Sequence, residues 1–428
     1  MRKSFPERGN PVGLTPMMQY RAIVHLYIFM LSVAAALTGF LYSRNLLSIG
    51  MIGLVLNAFS QPGLGERLRL WWNNRALVLL ATAFLLPLLS GAWSENTDDW
   101  WHATQIRIPL LVLPIAMIRQ EGFARRHLLL LSWCWMLLLL SGVLWSLLQY
   151  LQNPAVFNQA YQVAKVMPTP AHADYIRFSM ALVLALLLWL HVEWRGWLPD
   201  RARWWMRLLA AVFVVYLHLL GSKTGWLGMY GVVFPVALYM LWRRKQRTAA
   251  AALMAVVLLT PWLGYRYVPT IHNRIGYIRY DFNLYSQNVF VKGLSDGNRV
   301  LSWKAGWQVF RDNWLTGAGF GDIMPALAAW HRNHNTLVEN SEVFLGNEWL
   351  MMACGAGIAG FLLFTFAVLA LFVATPWRRS LHAVAMLLFF LFTFLYENTL
   401  SIQLGAFLYP FAIMWWYRLL QEPPAMEG

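Results

Sequence analysis

Residues 127–151 read HLLLLSWCWMLLLLSGVLWSLLQYL, twenty-five positions without an Asp, Glu, Lys or Arg. As a helix this stretch would run about 37 Å, longer than the roughly 30 Å hydrocarbon core of a bilayer. Its apolar residues do not alternate with polar ones, which excludes the strand pattern of a membrane β-barrel. A lipid-exposed backbone must satisfy its own hydrogen bonds, so the run predicts a membrane-spanning helix. Similar runs lie at 20–42, 45–61, 76–93, 105–118, 175–193, 204–220, 223–242, 247–267, 346–374, 381–396 and 399–419. The expected fold is therefore all-α and polytopic, with about twelve transmembrane helices.

The whole chain agrees with that reading. Of its 428 residues 59% are hydrophobic and only 12% are charged, about half the charged fraction of an ordinary globular chain. Mean hydropathy is +0.48. Soluble enzymes, disordered proteins and disulfide scaffolds are excluded. The two cysteines, Cys134 and Cys354, sit inside apolar runs and read as small core residues. The basic start, Met1 to Arg8, leads through polar residues into a full-length span, so no cleavable leader is expected.

A net charge of +15 could suggest nucleic acid as a partner, but its distribution argues against one. If alternate connections are assigned to opposite sides, one side collects 21 of the 34 basic residues, including Arg67, Arg69, Arg75, Arg125, Arg126, Arg243, Arg244 and Lys245. The short connections of the other side hold only Arg44, Arg107, Lys165, Arg177 and Lys223. Basic residues in short loops stay cytoplasmic. Both termini are thus expected inside, and the chain divides into helices 1–9 (1–267), an outer loop (268–345) and helices 10–12 with the C-terminal tail (346–428).

The outer loop is too long for a plain connector. Within it RVLSWKAGWQVFRDNW, residues 299–314, sets Trp303, Trp307, Phe310 and Trp314 at helical spacing, as in a helix at the membrane interface or a lid over a cavity. Gly317-Ala-Gly-Phe-Gly321 follows. No strand precedes it, so it reads as a helix stop and not as a nucleotide loop. Arg177, Lys223, Arg266, Arg274, Arg279 and Arg299 lie at outer span ends or in the loop. Charges in spans are costly and mark sites or pathways, and arginine forks match phosphate oxygens. An anionic ligand is expected there, with snorkelling side chains as the plain alternative. No HExxH, Cys/His zinc spacing or outer DxD occurs, so neither metal nor cofactor is expected. Asp98-Asp99 reads as a solvated loop.

Four stretches give the chain a resemblance. Ser94-Glu-Asn-Thr-Asp-Asp-Trp100 is similar to an S-E-x-x-x-x-W loop, and Ser222-Lys-Thr-Gly225 to S-R-[ST]-G. Arg299 and Trp303, followed by Gly317, Gly319 and Gly321, resemble R-x-x-x-W … G-x-G-x-G. Gly346-Asn347 with Gly357 and Gly360 fits the spacing of H-N, nine residues, G-x-x-G. Together they resemble the O-antigen ligase and polymerase superfamily of bacterial envelope glycosyltransferases. The resemblance implies a GT-C-type architecture in the inner membrane. It also implies transfer of a glycan, with inversion, from undecaprenyl pyrophosphate on the periplasmic side. A lipid A–core acceptor would make the chain an O-antigen ligase. Other acceptors would make it a polysaccharide polymerase or a protein O-oligosaccharyltransferase. A lipid-linked sugar transporter and a non-catalytic lipid-binding protein are the readings from other classes.

By the same resemblance Arg299 contacts the pyrophosphate, with Arg177, Lys223, Arg266 and Asn347 as further binding candidates. Two departures stand out: Lys223 replaces an arginine, and Gly346 occupies the histidine position. Three explanations stay open: a subfamily with another base, an inactive relative or an altered chain. His334, before Asn335, offers another imidazole, yet a motif begun there would put Leu345 at its first glycine. Glu397-Asn398 is family-like as well, although Glu397 could equally be solvating a short loop.

Overall fold

The computed structural model describes residues 16–163, 166–171, 174–287, 296–334 and 343–423. The basic start, Lys165 and Asn335 lie outside them. Among the described residues the chain is helical and contains no strand. In order come α1 (Pro16–Tyr42), α2 (Arg44–Ser60), α3 (Leu64–Asn73), α4 (Arg75–Leu80), α5 (Thr82–Ser90), α6 (Thr97–Arg107) and α7 (Pro109–Met117). Then follow α8 (Arg125–Gln152), α9 (Pro154–Ala160), α10 (Tyr175–Trp194), α11 (Asp200–Leu220), α12 (Lys223–Gly228), α13 (Phe234–Arg243) and α14 (Arg247–Tyr267). The chain closes with α15 (Pro269–Ser286), α16 (Asp296–Asp312), α17 (Ile323–Asn333), α18 (Glu348–Val373), α19 (Leu381–Tyr396) and α20 (Gln403–Gln421).

Among the described residues seven helices are long and apolar enough to cross a membrane: Gln19–Tyr42 within α1, α8, α10, α11, Lys223–Arg243, α14 and α18. Lys223–Arg243 joins α12 to α13 through a π-helical turn, Met229–Val233. An eighth appears if α2 and α3, bent by 111°, count as one broken span. All twelve apolar stretches do form helix, but the remaining ones are shorter or interrupted. The 76–93 run divides at Ala81, and the 105–118 run at Ile108 before Pro109. Apolarity also reflects position in the protein. In α20 every residue from Leu404 to Trp416 is buried, and in α10 every residue from Arg177 to Leu188. These two helices form the centre and are apolar all round, as a buried helix must be. In α14, by contrast, only Gly264 is buried.

The described parts of the 268–345 segment are largely helical, where a partly helical loop is expected. The buried face of α16 comprises Leu301, Ala305 and Val309, with Gly306 close against Leu345. Trp307 and Trp314 stay exposed at 57% and 58%. Small residues thus let α16 approach α18 closely, and the aromatic stripe is split: Trp307 and Trp314 face outward, while Trp303 and Phe310 are half-buried, Phe310 against the core.

The turn after α16 docks into a break in α18. There Ala356 and Gly357 leave helical geometry, and Gly357 adopts φ 62°, ψ −154°, a region essentially reserved for glycine. The loop occupies the break: the Ala318 amide donates to the Cys354 carbonyl at 2.7 Å, and the Ile358 amide to the Trp314 carbonyl at 2.8 Å. Asp322 fixes the other side of the turn by accepting from the amides of Glu95 (2.8 Å) and Asn96 (3.0 Å). Three of the four sequence stretches therefore form one packed unit. Asp98 and Asp99 are exposed in the first turn of α6, where carboxylates suit the helix dipole.

A Cβ on Gly357 would stand 2.3 Å from the Leu315 carbonyl oxygen. Gly357→Ala is therefore expected to cost more than about 2 kcal/mol, a loss typical of strained backbone positions. Thermal melting in detergent checks it. Gly65→Ala, with open space around it, serves as the control and should melt at or above the parent.

Candidate functional site

The first residues of α10, α16 and α18 meet the last residues of α6 and α19 around the turn 397–401. Each helix end is set by a short polar cap. Asp174 accepts from the Arg177 amide at 3.0 Å and starts α10. Asn347 accepts from the Leu350 amide at 2.9 Å and starts α18, while its side-chain amide donates to the Leu395 carbonyl at 2.8 Å. Asn347 thereby ties the beginning of α18 to the end of α19.

Glu397 follows that end and is 6% exposed. Its Oε1 accepts from Arg299 Nη2 at 2.5 Å, and its Oε2 lies 4.0 Å from Arg177 Nη1. Arg177 also pairs with Asp174 at 3.6 Å and donates to the Asn398 carbonyl at 3.4 Å. The Arg299 guanidinium lies over the Tyr396 ring, 5.9 Å from its centroid. Glu397 is thus not a solvating loop residue; it is the carboxylate shared by two of the predicted arginines.

A second ion pair joins the same turn. Glu348, fully buried, accepts from the Leu400 amide at 2.9 Å and stands 3.9 Å from Arg107. Arg107 donates to the Ser401 hydroxyl at 2.7 Å and stacks over Phe320 at 5.1 Å. Sequence reading counted Arg107 only as an outer charge and passed over Glu348. The available signal was a glutamate opening a 26-residue apolar helix, an expensive placement without a partner.

The other predicted residues divide. Lys223 opens α12 behind Ser222, whose hydroxyl lies 3.0 Å from that of Ser179 in α10. Its neighbour Thr224 lies beside Tyr396, so this stretch adjoins the cluster. Arg274 is buried and donates to the Gly221 carbonyl at 3.2 Å, supporting the left-handed turn (φ 62°) just before Ser222. It therefore positions that stretch. Tyr161 braces the same corner by donating toward the Leu219 and Leu220 carbonyls, and burial raises its phenol pKa. Arg266 is exposed at the end of α14 and makes no ion pair among the described residues. His334 is exposed at the end of α17 and stacks on Trp330 at 4.2 Å. Neither has a contact that reaches Glu397.

Gly346 is strapped to α16: its amide donates to the Ser302 hydroxyl at 3.2 Å, and Trp303 Nε1 donates to its carbonyl at 2.8 Å. A Cβ here would stand 2.9 Å from Arg299 Cγ and 3.0 Å from the Phe344 ring. Any side chain at 346 must therefore move Arg299, at a packing cost of about 1–3 kcal/mol.

Removing one partner of a buried pair leaves an uncompensated charge, whereas removing both need not. Arg107→Met or Glu348→Gln alone should cost about 3–5 kcal/mol, and the double variant clearly less than the sum of the two. Melting of all four proteins in detergent measures the coupling; strict additivity would show that the pair does not interact.

Residues 208–365 match the family model described as O-Antigen ligase. No curated protein matches the chain. The matched segment contains Lys223, Arg266, Arg299, Gly346 and Asn347, while Arg107, Arg177 and Glu397 reach the same cluster from outside it. That match, over rather more than a third of the chain, makes residues 208–365 similar to the O-antigen ligase family and supports the resemblance carried by the ordered stretches.

Proposed function

We propose that the protein is an O-antigen ligase of the bacterial inner membrane. In this reading it crosses the membrane twelve times with both termini in the cytoplasm, and its architecture is of the GT-C type. It transfers a glycan from undecaprenyl pyrophosphate to lipid A–core on the periplasmic side without a metal. The observation that carries this reading is the meeting of Arg177 and Arg299 on Glu397 inside a chain with an O-antigen ligase domain.

The chemistry follows from the leaving group. An acceptor hydroxyl oxygen attacks the anomeric carbon, the bond from that carbon to the phosphate oxygen breaks, and its electron pair stays on the diphosphate. The hydroxyl proton leaves to that diphosphate or to solvent. Arg299 and Arg177, oriented by Glu397, are suited to hold the diphosphate and to stabilise the charge that grows on it. Lys223 adds positive charge from α12, as a point charge without a fork. Both substrates are lipids confined to one membrane face, which supplies part of the proximity the reaction needs. Asn347 positions the start of α18 beside this centre.

The test uses purified protein, lipid-linked glycan and lipid A–core, with product measured directly. Arg299→Ala should lower transfer about 10²–10³-fold, the usual loss for a group stabilising transition-state charge. Arg299→Lys should recover only a minor part. Turnover of Arg299→Ala equal to the parent would end the proposal. Gly346→His is expected to raise transfer by returning an imidazole beside Arg299, with a lower melting temperature as the accompanying cost. Product formation and melting, measured together, check both halves.

A further inference from the structure

α10 is 20 residues long and so carries the chain about 30 Å from the Arg177 cluster to the opposite end of the bundle. There the ends of α10, α13 and α20 and the start of α19 enclose a cavity of about 410 Å³. Arg195 and Arg379 line it, and no carboxylate is among its lining residues. The nearby Glu193 is engaged by Arg207 and by Arg244, the latter at 3.7 Å. Arg195 donates to the Glu422 carbonyl, and the Glu422 charge also acts on it. Arg379 is exposed and has no ion pair among the described residues. Arg195 is thus balanced by Glu422, whereas Arg379 brings to the cavity a positive charge with no carboxylate partner among the described residues.

Two further observations point to a ligand. His191 lines the cavity, is only 2% exposed, and neither ring nitrogen has a hydrogen-bond partner among the described residues. An imidazole always offers a donor, and leaving it buried and unmade is costly. The first turn of α19 also faces the space: Ser380 caps the helix by accepting from the Ala383 amide at 3.4 Å, and His382 lies with its ring 5.2 Å from that of His191. A helix N-terminus favours an anion. His382 Nε2 is taken by Met240 Sδ at 3.3 Å, so the Arg379 guanidinium, the His191 imidazole and the helix start, with Arg195 beside them, are the groups that match a phosphate.

We propose that this cavity is a binding site for a phosphate group, supplied by the headgroup of an anionic phospholipid. The lipid source is favoured by Trp194 and Tyr239, which line the cavity and are 39% and 47% exposed at the end of membrane-length helices. Aromatic residues of this kind sit at headgroup level, and basic pockets between spans hold anionic headgroups. The site is independent of glycan transfer and lies at the other end of the molecule from Arg299.

The experiment uses the full chain in detergent. Cardiolipin, phosphatidylglycerol, neutral phosphatidylcholine, inorganic phosphate and glycerol phosphate are added separately, and binding is read by native mass spectrometry and by melting. The anionic lipids should bind and raise the melting temperature, and Arg379→Glu should weaken that binding at least tenfold. Arg378→Glu, an exposed neighbour that does not line the cavity, should leave it unchanged. Arg379→Gln gives the same direction without reversing charge and serves if Arg379→Glu fails to fold. Binding of free phosphate or glycerol phosphate that depends on Arg379 would uphold the phosphate site and assign it to a soluble ligand. Absence of binding by every anion, or equal loss from the substitutions at 378 and 379, would overturn it.

Discussion

Charge inside an apolar bundle has to be paired, and that requirement organises this protein. The turn 397–401 is where the pairing happens. Glu397 binds Arg177 and Arg299, while the Leu400 amide and the Ser401 hydroxyl hold Glu348 and Arg107. Five helices are thereby locked at one end by groups that none of them could bury alone. The desolvation cost of such ions is several kcal/mol each, so the arrangement specifies which helix ends meet more than it adds stability. The same groups that solve the folding problem are the ones that any anionic substrate would meet.

Glycine solves the complementary problem of close approach. Gly317 and Gly357 bring two backbones to distances that no Cβ would permit, and the Cys354 carbonyl and the Ile358 amide at the break in α18 are taken up by the loop. The result is a loop packed as part of the bundle. Ser94, Asp322 and the glycine-rich turn are then read as one construction joint: the serine hydroxyl lies 3.3 Å from the Gly321 amide, and the aspartate caps the strand of backbone at 95–96.

Much of this was legible in the chain itself. Helical character, the apolar stretches and the stop after α16 follow from periodicity and glycine placement, because those are local properties. Arg177 could be named because a charge at the end of an apolar run stands out, and Arg299 because it opens an amphipathic helix and begins a recognisable R-x-x-x-W stretch. Their carboxylate partner could not be assigned from sequence, since Glu397 lies 98 residues from Arg299 and looks like any acid in a short loop. The Arg107–Glu348 pair was hidden likewise by long-range pairing. Hydropathy marked the apolar stretches but not the interruptions at Ala81 and Ile108 that leave some of their helices short, because an average over a window does not register a local break. The aromatic stripe of α16 was visible, but which way it faced depended on Ala305 and Gly306 fitting against α18.

In the described cluster three guanidinium groups stand against three carboxylates, Asp174, Glu348 and Glu397. These six groups carry little net charge together, and Lys223 beside them adds one positive charge. An anion arriving from afar is not steered to it as it would be toward a bare basic funnel. On the proposed function, capture would then depend on lateral diffusion in the bilayer followed by short-range exchange of partners. Because the pairs are buried, mobile ions screen them weakly, so encounter and recognition there are nearly indifferent to ionic strength.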